Sequence, residues 1–160
     1  SAEALALAEE NTRRHVAPGA LRFEPGDLLE GLAAGSLDAV VANLPYVPSG
    51  EWPRLPRHIR DHEPRQALDG GPDGLRLILR LVDQAPGVLR PGGFVFLETA
   101  PSQAAAVRAA LGAAGFVDVR ICPDLAGRDR VAVGRWPGVA NAVSAVAVAG
   151  RAGLQSTPRP

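Results

Sequence analysis

The hydrophobic positions of the chain alternate between helical spacing and short apolar runs, a pattern typical of α/β proteins. Apolar residues three or four positions apart predict helices over 2–16, 73–89 and 102–114. Shorter apolar or alternating runs predict strands over 21–24, 37–42, 94–98, 116–121 and 130–134. Because helices separate most of these strands, we expect a mostly parallel sheet. The last two strands have no helix between them and should form an antiparallel hairpin.

The length of 160 residues predicts one domain, which the patterned region places at residues 1–135. Residues 136–160 are rich in Ala, Val, Gly and Pro and predict a poorly ordered tail. Residues 47–72 are rich in Pro and Gly and predict a long connection without regular structure. Such connections are uncommon in compact domains unless they are functional, and this one follows a strand that we expect to be covered on both faces.

Charge and cysteine content exclude several classes of protein. Seventeen basic and seventeen acidic residues balance, which argues against binding to nucleic acid or to anionic lipid. Cys122 is the single cysteine, so a disulfide-stapled scaffold is excluded. Neither a membrane-spanning run nor a signal-peptide layout is found in the sequence, and we expect a cytoplasmic protein with no membrane contact.

The four residues Asn43-Leu44-Pro45-Tyr46 directly follow the predicted strand 37–42. In open α/β sheets, ligands bind beyond the carboxyl ends of the strands. The Asn43 side-chain oxygen and the Leu44 carbonyl can accept the two hydrogens of a planar NH2 group, and Tyr46 can cover its flat face. Pro45 restricts the backbone before it and so holds that carbonyl in one direction. The alternative is a strand-ending turn without a ligand, and four residues alone leave both interpretations open.

Other polar residues carry weaker signals. His58 and His62 are four residues apart, but prolines confine any helix there to a turn and no third ligand has a convincing spacing, so no metal site is predicted. Glu98 ends a predicted strand near the presumed cleft, where a structural hydrogen bond is favoured over catalysis. Cys122 is interpreted as a small hydrophobic residue rather than a nucleophile.

The order of motifs resembles one known family. Asn43-Leu44-Pro45-Tyr46 is similar to the Asn-Pro-Pro-Tyr signature of class I S-adenosylmethionine-dependent methyltransferases that modify an amide or adenine nitrogen. The motifs that follow it resemble, over about residues 1–135, the HemK/PrmC family of protein N(5)-glutamine methyltransferases. They are Val47-Pro48-Ser49-Gly50-Glu51, Asp61-His62-Glu63-Pro64-Arg65, Ala67-Leu68-Asp69-Gly70-Gly71, Asp73-Gly74-Leu75, Leu89-Arg90-Pro91-Gly92-Gly93 and Gly127-Arg128-Asp129-Arg130. The resemblance implies a partial Rossmann-like methyltransferase sheet.

This resemblance also implies an activity and a set of site residues. The family transfers a methyl group from S-adenosyl-L-methionine to the glutamine of the Gly-Gly-Gln motif in class I peptide chain release factors, a role in translation termination. By its pattern, Asn43 contacts both cofactor and substrate, and Leu44, Pro45 and Tyr46 lie against the glutamine side chain. Asn43, Pro45 and Tyr46 are the implied catalytic residues. Asp27 and Leu28 resemble the position that borders the cofactor's adenine, although Gly26-Asp27 can equally be a turn and helix cap.

The sequence departs from the family pattern in three respects. Leu44 stands where the family usually has proline. The chain contains no Gly-x-Gly-x-x-Gly loop for the cofactor, and residues 1–15 already resemble the helix that follows the family's second strand. We therefore expect the first two strands of the sheet to be missing and cofactor affinity to be low. Strand 21–24 should then either move to the edge of strand 37–42 or leave that edge unpaired.

The sequence is compatible with two further functions. An adenine amine offers the same two hydrogens, so the motif is also compatible with adenine-N6 methylation of DNA or RNA, which the neutral net charge disfavours. A third possibility is an inactive remnant that serves as a binding module.

Overall fold

The computed structural model describes residues 1–138, and these contain one mixed sheet and four α-helices. The helices are α1 (Ala2–His15), α2 (Arg57–Arg60), α3 (Arg76–Val88) and α4 (Ala104–Ala113). The strands are β1 (Leu37–Ala42), β2 (Leu89–Glu98), β3 (Val117–Pro123) and β4 (Asp129–Arg135). Most of the predicted tail, from residue 139 onward, lies outside the described residues.

The sheet has the strand order β1-β2-β4-β3. β1 and β2 are parallel, whereas β4 is antiparallel to both β2 and β3. Three of the four strands therefore run in one direction, and β3 and β4 form the predicted C-terminal hairpin. The predicted α/β class is confirmed.

The core lies between one face of the sheet and the helices α3 and α4. Val95 and Leu97 of β2 are fully buried on this face. Their neighbours from the helices are also buried, and include Ile78, Leu81, Val82, Ala85, Val107 and Leu111. The helical spacing of these apolar residues puts them on one side of each helix, so the same pattern that predicts the helices also builds the core.

The expectation that strand 37–42 is covered on both faces is wrong for the described residues. Val40 is the one buried residue of β1, and the side chain of Val41 is 79% exposed. Phe94 and Phe96 of β2 are only half buried, and their ring centroids lie 6.1 Å apart. The second face of the sheet therefore carries apolar residues that nothing in residues 1–138 fully covers.

The predicted strand at residues 21–24 is also wrong, because this segment has no regular structure. Its alternating side chains have the pattern of a strand, yet a strand is stable only when its backbone groups pair with a neighbour. Leu21 is 53% exposed, and Arg22 forms an ion pair with Glu24 on the surface. Of the two outcomes expected for the edge of β1, the unpaired edge is found within the described residues.

The long connection after β1 is more ordered than the sequence predicts. Between Tyr46 and α3 it contains two short 3-10 segments, Ser49–Arg54 and Arg65–Ala67, with α2 between them. Prolines precede each of these segments, where a fixed φ favours helix initiation and the missing N–H costs nothing.

No helix in residues 1–138 is long and apolar enough to cross a membrane.

Candidate functional site

The corner Asn43–Tyr46 leaves the carboxyl end of β1 and borders a pocket of about 270 Å³. The pocket is lined by Asn43, Leu44, Pro45, Tyr46, Val47, Leu55, Ile59, Ala67 and Leu68. The last five of these belong to the long connection, which folds back over the corner. Asn43 is exposed, whereas Leu44, Pro45 and Tyr46 are half buried. The four predicted substrate residues are thus brought to one apolar pocket with a polar entrance.

The two predicted hydrogen-bond acceptors are not used by the fold. No donor among residues 1–138 bonds to the Leu44 carbonyl or to the Asn43 side chain. The Leu44 side chain packs against the hydrophobic core. This packing restrains the corner and offsets the stiffness lost where the resembling family has proline. The geometry therefore leaves an amide oxygen and a carbonyl oxygen on consecutive residues available for a ligand.

Backbone hydrogen bonds close the long connection at its base. Val47 donates to the Leu68 carbonyl at 2.9 Å and accepts from Gly70 at 2.9 Å, in a short parallel bridge. Ser49 donates to the Gly71 carbonyl at 2.8 Å. These bonds join the residues after the corner to the Ala67–Gly71 motif and hold Leu55 and Ile59 over the pocket.

Asp69 organises this base through its carboxylate. Oδ1 accepts from the Ser49 hydroxyl at 2.6 Å and from the Gly71 N–H at 3.0 Å, while Oδ2 faces Arg65 at 2.9 Å. The guanidinium of Arg65 also lies 5.6 Å from the ring centroid of Trp52. The Ser49 hydroxyl, then the Gly71 N–H and Arg65, lower the pKa of Asp69 from 3.8 to about 2.

This pKa shift predicts an acid-sensitive contribution of Asp69 to stability. Because the folded pKa is depressed, the stabilisation is fully present above pH 3.8 and is lost as the pH falls through about 2. At neutral pH, Asp69→Asn is therefore expected to have a lower free energy of unfolding than the unsubstituted chain, and the difference should shrink over that interval.

Urea unfolding followed across this pH range measures the effect. Asp83→Asn is the matched control, since Asp83 is exposed on α3 and makes no hydrogen bond or ion pair within the described residues. A constant gap between Asp69→Asn and the unsubstituted chain at all pH values would contradict the assignment.

Gln103 clamps the backbone of the corner, a role that the sequence did not predict. Its side chain is buried, with Nε2 donating to the Tyr46 carbonyl at 2.9 Å and to the Asp73 carbonyl at 3.0 Å. Its Oε1 accepts from the Ala100 N–H at 3.2 Å. The two bonds from Nε2 join segments distant in sequence to the β2–α4 connection, and the third lies within that connection. A glutamine among prolines and alanines carries no motif, so no local signal marks it.

The phenol of Tyr46 is anchored from the end of β2. Its hydroxyl donates to Glu98 Oε1 at 3.0 Å. Arg130 Nη1 lies 3.9 Å from the same oxygen. Burial, followed by the hydrogen bond and charge of Glu98, raises the pKa of Tyr46, and Arg130 opposes this effect. The structural hydrogen-bonding role favoured for Glu98 thus has a defined partner.

The residues expected to border a cofactor lie elsewhere. Asp27 is exposed, and its carboxylate accepts from Arg80 of α3 at 2.8 Å. Leu28 has a φ of 57° and lines a groove formed by residues 22–37, whereas Asn43 lines the pocket under the long connection. Within residues 1–138, these three residues do not share one cavity, and they do not by themselves form a complete site for S-adenosylmethionine.

The described residues offer no candidate metal centre. No three or more His, Cys, Asp or Glu side chains in residues 1–138 cluster as metal ligands would. The thiol of Cys122 is unpaired and half buried on β3.

Comparisons with curated sequences agree with the motifs. The chain is 44% identical over 131 residues to the release factor glutamine methyltransferase of Moorella thermoacetica, covering 81% of the chain and 46% of that protein. It is 42% identical over 134 residues to the protein of the same name from Caulobacter vibrioides, covering 84% and 46% respectively. The chain therefore spans about half the length of the curated relatives that it matches. No protein-family model matches it.

Solved structures support the fold. The E. cuniculi Mtq2-Trm112 complex, described as responsible for the methylation of the eRF1 translation termination factor, matches with a TM-score of 0.51 and 25% identity over 79% of this chain and 66% of that chain. A possible exported protein from Bordetella parapertussis matches with a TM-score of 0.57 and 18% identity over 86% and 51%, which concerns the fold alone. By sequence and by fold, the resemblance is confirmed: the chain is a relative of the HemK/PrmC-type release factor glutamine methyltransferases.

Proposed function

We propose that residues 1–138 carry the amide-binding part of an S-adenosylmethionine-dependent methyltransferase. Its substrate would be the side-chain amide of a glutamine in a protein, the Gly-Gly-Gln motif of a class I peptide chain release factor, in the cytoplasm. The observation that carries the proposal is the corner Asn43–Tyr46, whose two unused acceptors border a pocket of about 270 Å³. The names of the relatives at 44% and 42% identity support the same substrate.

The corner suits a primary amide in particular. The Asn43 side-chain oxygen and the Leu44 carbonyl accept the two N–H hydrogens, which turns the nitrogen lone pair away from both. Pro45 keeps the carbonyl in place, and the ring of Tyr46 covers one face of the planar amide. A carboxylate has no hydrogens to donate, so a glutamate side chain would leave both acceptors unpaired and would be rejected.

A cofactor would supply the electrophile for this reaction. S-adenosylmethionine, when bound, provides a methyl group on a positively charged sulfur. Asn43 would contact both the cofactor and the amide, and Asp27 and Leu28 would border the adenine of the cofactor. Because Leu28 and Asn43 line separate cavities here and Asp27 lines neither of them, we expect residues 1–138 alone to bind S-adenosylmethionine weakly. The task of the corner itself is to hold the amide nitrogen in line with the methyl carbon that the nitrogen attacks.

The charges around the pocket favour a protein over a nucleic acid. The arginines of the long connection are largely engaged: Arg57 and Arg60 both approach Asp61, at 3.5 and 3.2 Å, and Arg65 faces Asp69. Phosphate contacts require a surplus of positive charge, which the balanced composition does not offer.

The experiment is a methyl-transfer assay with a chimera. Residues 1–138 replace the matching segment of the Moorella thermoacetica relative, and transfer from S-adenosylmethionine is measured to release factor and to an adenine-containing oligonucleotide. We expect methylation of the release factor, and its loss when the motif glutamine is replaced by glutamate. Transfer to the oligonucleotide would support the adenine alternative. An inactive chimera beside an active parent would support a remnant that acts only in binding.

A further inference from the structure

Tyr46 is connected to the C-terminal hairpin by a chain of polar contacts outside the corner itself. Its hydroxyl donates to Glu98 Oε1 at 3.0 Å, and Arg130 Nη1 lies 3.9 Å from the same oxygen. Arg130 is held in turn by the Thr99 carbonyl at 3.3 Å and faces Asp124 at 3.9 Å. The side chains of Glu98 and Arg130 are 33% and 27% exposed, so these contacts are only partly screened by water.

We infer that Glu98 is a positioning residue, which fixes the ring of Tyr46 at the wall of the pocket while Arg130 holds the Glu98 carboxylate. This inference rests on the proposed function, in which that ring covers the substrate amide. Glu98 is the last residue of β2, and β2 pairs with both β1 and β4. The anchor therefore belongs to the rigid sheet rather than to the long connection.

The number of hydrogens on the Tyr46 hydroxyl limits how this residue can contact a substrate amide. A phenol has one hydrogen to donate, and in this structure Glu98 accepts it. The substrate amide would therefore meet the face of the ring rather than its hydroxyl. Rotation about the bond to an aromatic ring is broad and weakly restrained, so a ring without an anchor would sample several orientations in a half-buried pocket.

The other end of Tyr46 is held independently. Gln103 binds its carbonyl, and Gln103 carries no charge. Glu98 from β2 and Arg130 from β4 are the charged groups that act on the hydroxyl, and they act in opposite directions on its pKa. A substitution of Glu98 can thus loosen the ring without releasing the backbone of the corner.

The chain offers a direct probe of this contact, because Tyr46 is its single tyrosine. Phenolate formation followed by ultraviolet absorbance therefore reports Tyr46 alone, on the full chain and without cofactor or substrate. Glu98→Gln keeps the shape and removes the charge, and its titration midpoint is expected to shift to lower pH. Arg130→Gln should shift the midpoint to higher pH. Glu63→Gln, which removes a charge from the long connection without contacting Tyr46, should leave it unchanged.

A second measurement tests positioning rather than contact. With carbon-13 in the tyrosine ring, nuclear magnetic resonance relaxation reports the order of this one ring. Glu98→Ala is expected to lower the ring order, whereas Glu63→Ala is not. Circular dichroism confirms that each variant keeps its fold. An unshifted titration in Glu98→Gln, or a ring as ordered in Glu98→Ala as in the unsubstituted chain, would overturn the inference.

Turnover in the chimera separates this inference from the proposed function. We expect Tyr46→Phe and Glu98→Ala each to lower kcat/KM about 5- to 30-fold, and the double variant to be no worse than the more damaging single one, since both break the same contact. Independent, multiplying effects would overturn the positioning role. If the unsubstituted chimera transfers no methyl group, the proposed function fails, while the titration and the ring order still decide the role of Glu98.

Discussion

Replacing Asn43 with alanine is expected to lower methyl transfer by the chimera about 100- to 1000-fold, the loss typical when one preorganised hydrogen-bonding group of an active site is removed. The variant loses one of the two acceptors that orient the amide nitrogen and keeps the Leu44 carbonyl. Because Asn43 is exposed and its side chain bonds to nothing in residues 1–138, the free energy of unfolding should change by less than about 0.5 kcal/mol. The measurement is kcat with release factor as substrate.

Asn11→Ala is the matched control for this result. Asn11 is also exposed but lies on α1, outside the residues that line the pocket. Turnover of this variant should equal that of the unsubstituted chimera. Full turnover by Asn43→Ala would remove the basis of the proposed mechanism, whatever the activity of the control.

Gly74→Ala is expected to destabilise the chain by about 2–5 kcal/mol, the sum of a positive φ and steric overlap. Gly74 is buried with a φ of 76°. A Cβ there would overlap the Tyr46 carbonyl and the Gln103 amide, the two groups that clamp the corner. Neither can move without breaking their mutual hydrogen bond. Urea unfolding measures the loss, which is a large fraction of the stability of a small domain.

Gly87→Ala provides the comparison for this substitution. Gly87 is exposed near the end of α3, and a Cβ there would meet no atom within 4 Å. Alanine favours helix over glycine by up to about 1 kcal/mol, so this variant should be as stable as the unsubstituted chain or more so. Equal destabilisation by both substitutions would show that the close contacts around Gly74 are not what destabilises Gly74→Ala.

The elements with strong local patterns could be predicted from the sequence. The apolar run at 37–42 coincides with β1, and helix α1 was predicted to within one residue. The segment 21–24 shows the limit of this reasoning: its alternation is that of a strand, but pairing depends on a partner that no local pattern specifies. The predicted burial of both faces of β1 is wrong for the same reason, because it depends on what packs against the sheet.

The candidate site was predictable only where it is continuous in sequence. Asn43–Tyr46 forms a recognisable motif, and the structure places all four residues at one pocket. The contacts of Gln103 and Glu98 with Tyr46 span 57 and 52 residues, so neither could be derived from spacing. The order of the long connection was underestimated for a similar reason, since its closure depends on Val47 meeting Leu68 and Gly70.

The closed base of the long connection makes the segment between its ends a replaceable insert. The bonds of Val47 with Leu68 and Gly70, and those of Asp69 with Ser49 and Arg65, hold these ends together. Lengthening a flexible loop between them is cheap, about 0.6 kcal/mol for each doubling. Leu55 and Ile59 come from this insert and line the pocket, whereas the amide acceptors do not. Under the proposed function, exchanging the residues between these ends would change which polypeptides are admitted and would leave the amide acceptors of the corner unaltered.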